Sequence, residues 1–104
     1  MHRIAFRMKL FPGFEDEYKK RHDALWPELK QLLKETGIAE YSIFFDETNN
    51  SLLGVLQAID AASLDNLPAH PVMQRWWKYM ADIMESNPDS SPVSIPLKEI
   101  FYLP

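Results

Sequence analysis

The sequence has 104 residues and no cysteine, so neither a disulfide framework nor a thiolate site is possible. Its 11 Lys and Arg against 15 Asp and Glu leave a net charge of −4, with no basic field to attract a nucleic acid backbone. No apolar run approaches the roughly 20 residues of a bilayer span, and the opening MHRIAFRMKL is unlike a signal peptide; one cytoplasmic domain over residues 1–104 is the expectation.

Ile4, Phe6, Met8 and Leu10 alternate with Arg3, Ala5, Arg7 and Lys9, which is the two-residue period of a strand. Pro12-Gly13 is a turn signal. From Phe14 the period lengthens, and Phe14, Tyr18, His22, Leu25, Leu29, Leu32 and Leu33 share one face of a helix that Gly37 ends. Pro27 has no N–H for the carbonyl of Asp23 and predicts a kink within that helix.

Residues 38–45 and 52–59 read as two strands, joined by a stretch whose Asn49-Asn50 pair suits a hairpin. The second of them is apolar on both sides, so both its faces should be covered. After a weakly patterned connection over residues 60–71, Pro71 stands where a first helical residue would. Residues 72–84, VMQRWWKYMADIM, form a second helix with two adjacent apolar stripes, Val72-Trp76-Tyr79-Ile83 and Met73-Trp77-Met80-Met84. Residues 86–96 are a Pro/Ser-rich loop, and residues 97–103, LKEIFYL, are expected as a fourth strand.

The order βαββαβ is the ferredoxin-like α+β pattern, a four-stranded antiparallel sheet with two helices on one face. The other face carries residues such as Phe44. A homodimer packing sheet against sheet would cover it.

Three histidines, His2, His22 and His70, show no short metal-ligand spacing, and the three glycines form no phosphate-binding loop. With no G-x-S-x-G elbow either, nothing supports a metal, nucleotide or serine-nucleophile mechanism. The charge runs at 15–17 and 19–21 read as solvated helix surface, and Arg75 could reach solvent or a pocket.

What remains is one histidine among aromatic residues. Tyr18 and His22 are four apart and lie one above the other on the face that points at the sheet. Histidine, with an unperturbed pKa of about 6.5, donates or accepts a proton near neutral pH. The adjacent Trp76 and Trp77 diverge by about 100° on a helix, so both are buried only if the helix is covered on two sides or borders a cavity. Flat indoles and phenols with polar tips suit a sugar ring. Tyr41 shares a strand face with Ile43 and Phe45, and that face would look at the helices. All five could surround one space, although spacing alone also allows a satisfied core histidine and two core tryptophans.

At these residues the sequence resembles the L-rhamnose mutarotases. The likeness is carried by EYKKRHDALWPEL (17–29), QRWWKYMADIM (74–84), NPDSSPV (87–93) and the terminal EIFYLP, and it extends over nearly the whole chain, weakest across residues 60–71. The resemblance implies a dimeric α/β barrel of ferredoxin-like subunits that interconverts the α and β anomers of L-rhamnose in the cytoplasm, with no cofactor. In that family the histidine matching His22 is the proton donor, and residues matching Tyr18, Tyr41, Trp76 and Trp77 bind the sugar. All five are present here. Other uses of the same barrel, a cofactor-free monooxygenase or a non-catalytic sugar-binding module, stay open because fold does not fix function.

Overall fold

The computed structural model describes residues 2–104. In chain order the elements are β1 (His2–Lys9), α1 (Glu15–Asp23), α2 (Pro27–Glu35), β2 (Ile38–Asp46), β3 (Ser51–Ala58), a 3-10 segment (Ala61–Ala69), α3 (Pro71–Met80) and β4 (Ile95–Leu97). The strands form one sheet in the order β2-β3-β1-β4, with every neighbouring pair antiparallel. This is the ferredoxin-like arrangement.

Where one kinked helix is expected after β1, the chain builds two. Glu15, Asp16 and Glu17 in the first turn of α1, and Lys20 and Arg21 in its last, complement the helix dipole. The helix stops at Asp23. Trp26, which precedes Pro27, is pushed to an extended conformation (φ −58°, ψ 131°), and Pro27 opens α2 with its φ already set for a helix. At the far end of α2, Gly37 takes φ 96°, a left-handed stop that only glycine adopts without strain. The hairpin between β2 and β3 uses Asn50 in the same region, with φ 58°.

The connection over residues 60–71 is more ordered than its patterning suggests. Asp60 Oδ1 accepts from the Ala62 amide at 3.0 Å and opens the 3-10 segment. His70 Nδ1 accepts from the Val72 amide at 3.2 Å and caps α3, with Pro71 as its first residue. That bond gives His70 a structural role. Helix α3 ends at Met80, short of the expected Met84. Ile83 and Met84 are buried, and the Ile83 carbonyl instead accepts from the Phe11 amide at 2.9 Å, joining this turn to the end of β1.

The fourth strand also lies elsewhere than expected. It is Ile95–Leu97, paired with Ala5–Arg7 of β1, and not residues 97–103. Pro96 donates no ladder hydrogen bond, which an edge strand tolerates. Beyond it the chain leaves the ladder and follows β1 through side chains: Arg3 meets Glu99 at 3.4 Å and stands 3.9 Å over the Tyr102 ring. Ile100 is left 90% exposed.

Register assigns the faces. Ile4, Phe6 and Met8 of β1 lie level with Leu56, Gly54 and Leu52 of β3, and these with Tyr41, Ile43 and Phe45 of β2, so all point to the helices. Between sheet and helices lies the core, which includes Met8, Leu10, Leu29, Leu52, Met80 and Ile83. Gly54 has a specific use there. The Phe6 ring lies directly over it, in space that any side chain at 54 would occupy, and from there reaches Tyr41 at 6.1 Å between centroids. The opposite face carries Ala5, Phe44, Leu53, Val55, Ile95 and Leu97, with Phe44 60% exposed.

Candidate active site

The site is assembled from α1, α3 and β2. On α1, Tyr18 and His22 stack with ring centroids 4.2 Å apart and planes inclined by 26°. His22 Nδ1 lies 3.0 Å from the Tyr18 carbonyl oxygen. A carbonyl only accepts, so Nδ1 carries the hydrogen, and in the neutral ring Nε2 keeps its lone pair. Burial lowers the His22 pKa from its ordinary 6.5, against the opposing pull of the Tyr18 carbonyl and of Asp23. The resting imidazole at neutral pH is therefore uncharged.

From α3, Trp76 meets His22 edge-on at 5.3 Å and 89°. Tyr41 projects from β2 onto the same side of the sheet. Although 40% of Tyr41 is exposed, loss of water around its hydroxyl pushes the pKa up to about 12. The Tyr18 phenol, buried and within electrostatic reach of Tyr41, is raised further. Both phenols keep their protons at neutral pH and act as hydrogen-bond donors. Tyr18, His22, Tyr41 and Trp76 are thus brought to one region.

Trp77 is placed apart from them. Half-buried, it lines a separate hollow of about 320 Å³ with Pro68, Gln74, Lys78, Asp89 and Ser90. The divergence of neighbouring residues on a helix accounts for this: α3 turns one indole to α1 and the other to the loop after residue 86. Within one chain, then, the five expected residues do not ring a single space.

Two aromatic residues not singled out in the sequence complete the cluster. Trp26 stands 5.0 Å from Trp76 and 5.5 Å from Tyr79, and Tyr79 stands 5.6 Å from Trp76. Tyr79 follows Trp76 by three on the same helical stripe, a signal that was available. Trp26 has no such signal, since its place depends on the break before Pro27. Arg75 turns outward, 3.9 Å from Glu28, with both side chains more than half exposed.

Among the described residues, no group of His, Cys, Asp and Glu could hold a metal ion. None of their helices is long and apolar enough to cross a membrane.

Comparison with known proteins shows the family. The sequence pattern of the L-rhamnose mutarotase family matches residues 3–103. The chain belongs to the L-rhamnose mutarotase family. An L-rhamnose mutarotase of Sinorhizobium fredii is 55% identical over 103 residues, 99% of each chain. Another, of Listeria monocytogenes, is 53% identical over 103 residues, again 99% of each. A crystal structure of an L-rhamnose mutarotase from Formosa agariphila superposes with a TM-score of 0.93 at 51% identity and covers 100% of both chains. The structure of an antibiotic biosynthesis monooxygenase aligns over 96% of this chain and 99% of its own, with a TM-score of 0.53 at 14% identity. That weaker likeness extends to the fold alone. Membership of the mutarotase family makes this chain an isomerase of sugar anomers and sets aside the monooxygenase reading.

Proposed function

We propose that this chain interconverts the α and β anomers of L-rhamnose, with His22 as the group that moves the proton. The observation that carries the reading is the His22–Tyr18 stack set edge-on to Trp76, in a chain of this family. Opening a pyranose takes a proton from the anomeric hydroxyl and delivers one to the ring oxygen. Both oxygens are bonded to the same carbon, so one imidazole can serve both.

In the proposed sequence, Nε2 of neutral His22 accepts the hydroxyl proton. The O–H electron pair becomes the second bond of the aldehyde, and the bond from the anomeric carbon to the ring oxygen breaks. The imidazolium then gives its proton to that oxygen, which is the donor role expected from the resemblance. Rotation of the aldehyde and reversal of the steps close the other anomer, with no net change in His22. Positioned proton transfer of this kind contributes roughly 10²–10⁴-fold, enough for a reaction that already proceeds in water.

Tyr18 and Tyr41 donate hydrogen bonds to sugar hydroxyls. Trp76, edge-on to His22, backs the site beside the sugar, and Trp77, which faces its own hollow, is not assigned to the same ring. The reading calls for no cofactor.

The functional unit we propose is a homodimer in the cytoplasm. Two subunits packed sheet to sheet would cover Phe44, Ile95 and Leu97, and the terminal Ile100, Phe101 and Leu103 could lie on the partner. A cysteine-free chain needs no oxidising compartment.

The test follows freshly dissolved α-L-rhamnose by polarimetry, with and without the protein. The approach to equilibrium should quicken in proportion to protein concentration; an unchanged rate refutes the reading.

A further inference from the structure

We propose that Arg21 is a positioning residue that holds His22 in register with Trp76. This rests on the functional reading above and adds a residue to it. Helix α1 has nine residues and buries only Tyr18, so its own apolar contacts fix it weakly against α3. Arg21 supplies the missing connection. Its Nη1 donates to the Tyr79 carbonyl at 2.8 Å and to Asp82 Oδ1 at 2.8 Å, and Nη2 donates to Asp82 Oδ2 at 3.2 Å. On its own helix, Nε donates to Glu17 Oε2 at 2.7 Å. The guanidinium carbon stands 4.5 Å from the centre of the Tyr79 ring, and the side chain is only 11% exposed.

These contacts close a circuit around the site. Arg21 precedes His22, His22 meets the edge of Trp76, Trp76 packs on Tyr79, and Arg21 lies on Tyr79. The Tyr79 carbonyl belongs to the last turn of α3, where carbonyls lack helical partners and a cation is favoured. A planar fork is needed to satisfy that carbonyl, a bidentate carboxylate and Glu17 together. Lysine keeps the charge and cannot do so. Asp82 is held below its ordinary carboxylate pKa by Arg21 and stays ionised through the working range. Without the clamp, α1 can shift by a fraction of a turn, and misplacement of about 1 Å at a reacting group lowers a rate by on the order of 10²-fold.

The test compares the unaltered protein with Arg21→Lys and Asp82→Asn, at temperatures well below each variant's melting midpoint. We expect kcat to fall about tenfold or more in each with little change in KM, and the double variant to be no worse than the poorer single one, because both break one clamp. The imidazole proton resonances of His22, shifted by the Tyr18 and Trp76 rings, should move in both variants toward free-histidine positions. A role in stability alone would lower the melting midpoint and leave kcat and those resonances unchanged, which overturns the proposal. Asp82→Asn keeps Arg21 bound to Glu17 and the Tyr79 carbonyl, so it remains informative if Arg21→Lys fails to fold. If the unaltered protein does not accelerate mutarotation, the functional reading fails separately, and the resonances still decide whether Arg21 places His22.

Discussion

Nδ1 of His22 lies 3.0 Å from the backbone carbonyl oxygen of Tyr18, one helical turn earlier. That contact decides which nitrogen is free, and therefore which half of the proton traffic comes first. With Nδ1 committed to the carbonyl, the neutral ring can only accept at Nε2.

A pH profile follows with a definite sign. Burial lowers the His22 pKa from 6.5, so the active neutral form predominates at pH 7 and above. After subtraction of the buffer rate, kcat/KM should be flat above neutrality and fall as pH drops below 6.5 through the folded-state value. A profile that instead declines with rising pH between 6 and 8 would mean that the charged ring starts the reaction. Stability shares the direction. The unfolded chain takes up the His22 proton at higher pH than the native one, so this contribution is complete above 6.5 and is lost as pH falls.

Gly54→Ala tests how Tyr41 is supported. The new methyl group would collide with the Phe6 ring, which must then move away from its contact with Tyr41. Crowding of this kind destabilises by about 1–3 kcal/mol, read as a lower midpoint in urea. KM for L-rhamnose should rise as well. A variant with unchanged midpoint and KM would show that Phe6 does not hold Tyr41.

The sheet face away from the helices gives a third prediction. Replacing the exposed Phe44 with Glu places a charge where two subunits would meet, and burying an unpaired charge is strongly unfavourable. Light scattering should give twice the subunit mass for the unaltered protein and the subunit mass for Phe44→Glu. A monomeric unaltered protein would contradict the proposed homodimer.

Much of this was legible in the sequence because it depended on neighbours. Alternation around Phe6 and Met8 gave β1 and its inward face, and the four-residue step from Tyr18 to His22 gave their shared orientation. Pro27 marked a break, although as the start of a new helix and not as a kink. What stayed hidden depended on contacts far along the chain. Arg21 reads as one of three solvated cations at 19–21, yet its partner Asp82 lies 61 residues away and the arginine side chain is largely covered. Residues 97–103 are rich in apolar and aromatic side chains as a strand would be, but only Leu97 of them joins the ladder on β1. Nothing local distinguishes Trp76, turned to His22, from Trp77, turned to its own hollow; only the packing of α3 separates them.

The most direct measurement is the rate of L-rhamnose anomer exchange with His22→Ala beside the unaltered protein, at equal concentration and at a pH above 7. The account predicts a concentration-dependent acceleration by the unaltered protein, a return to within a few per cent of the buffer rate in the variant, and sugar binding that persists by NMR titration. An acceleration that survives the loss of the imidazole would contradict it.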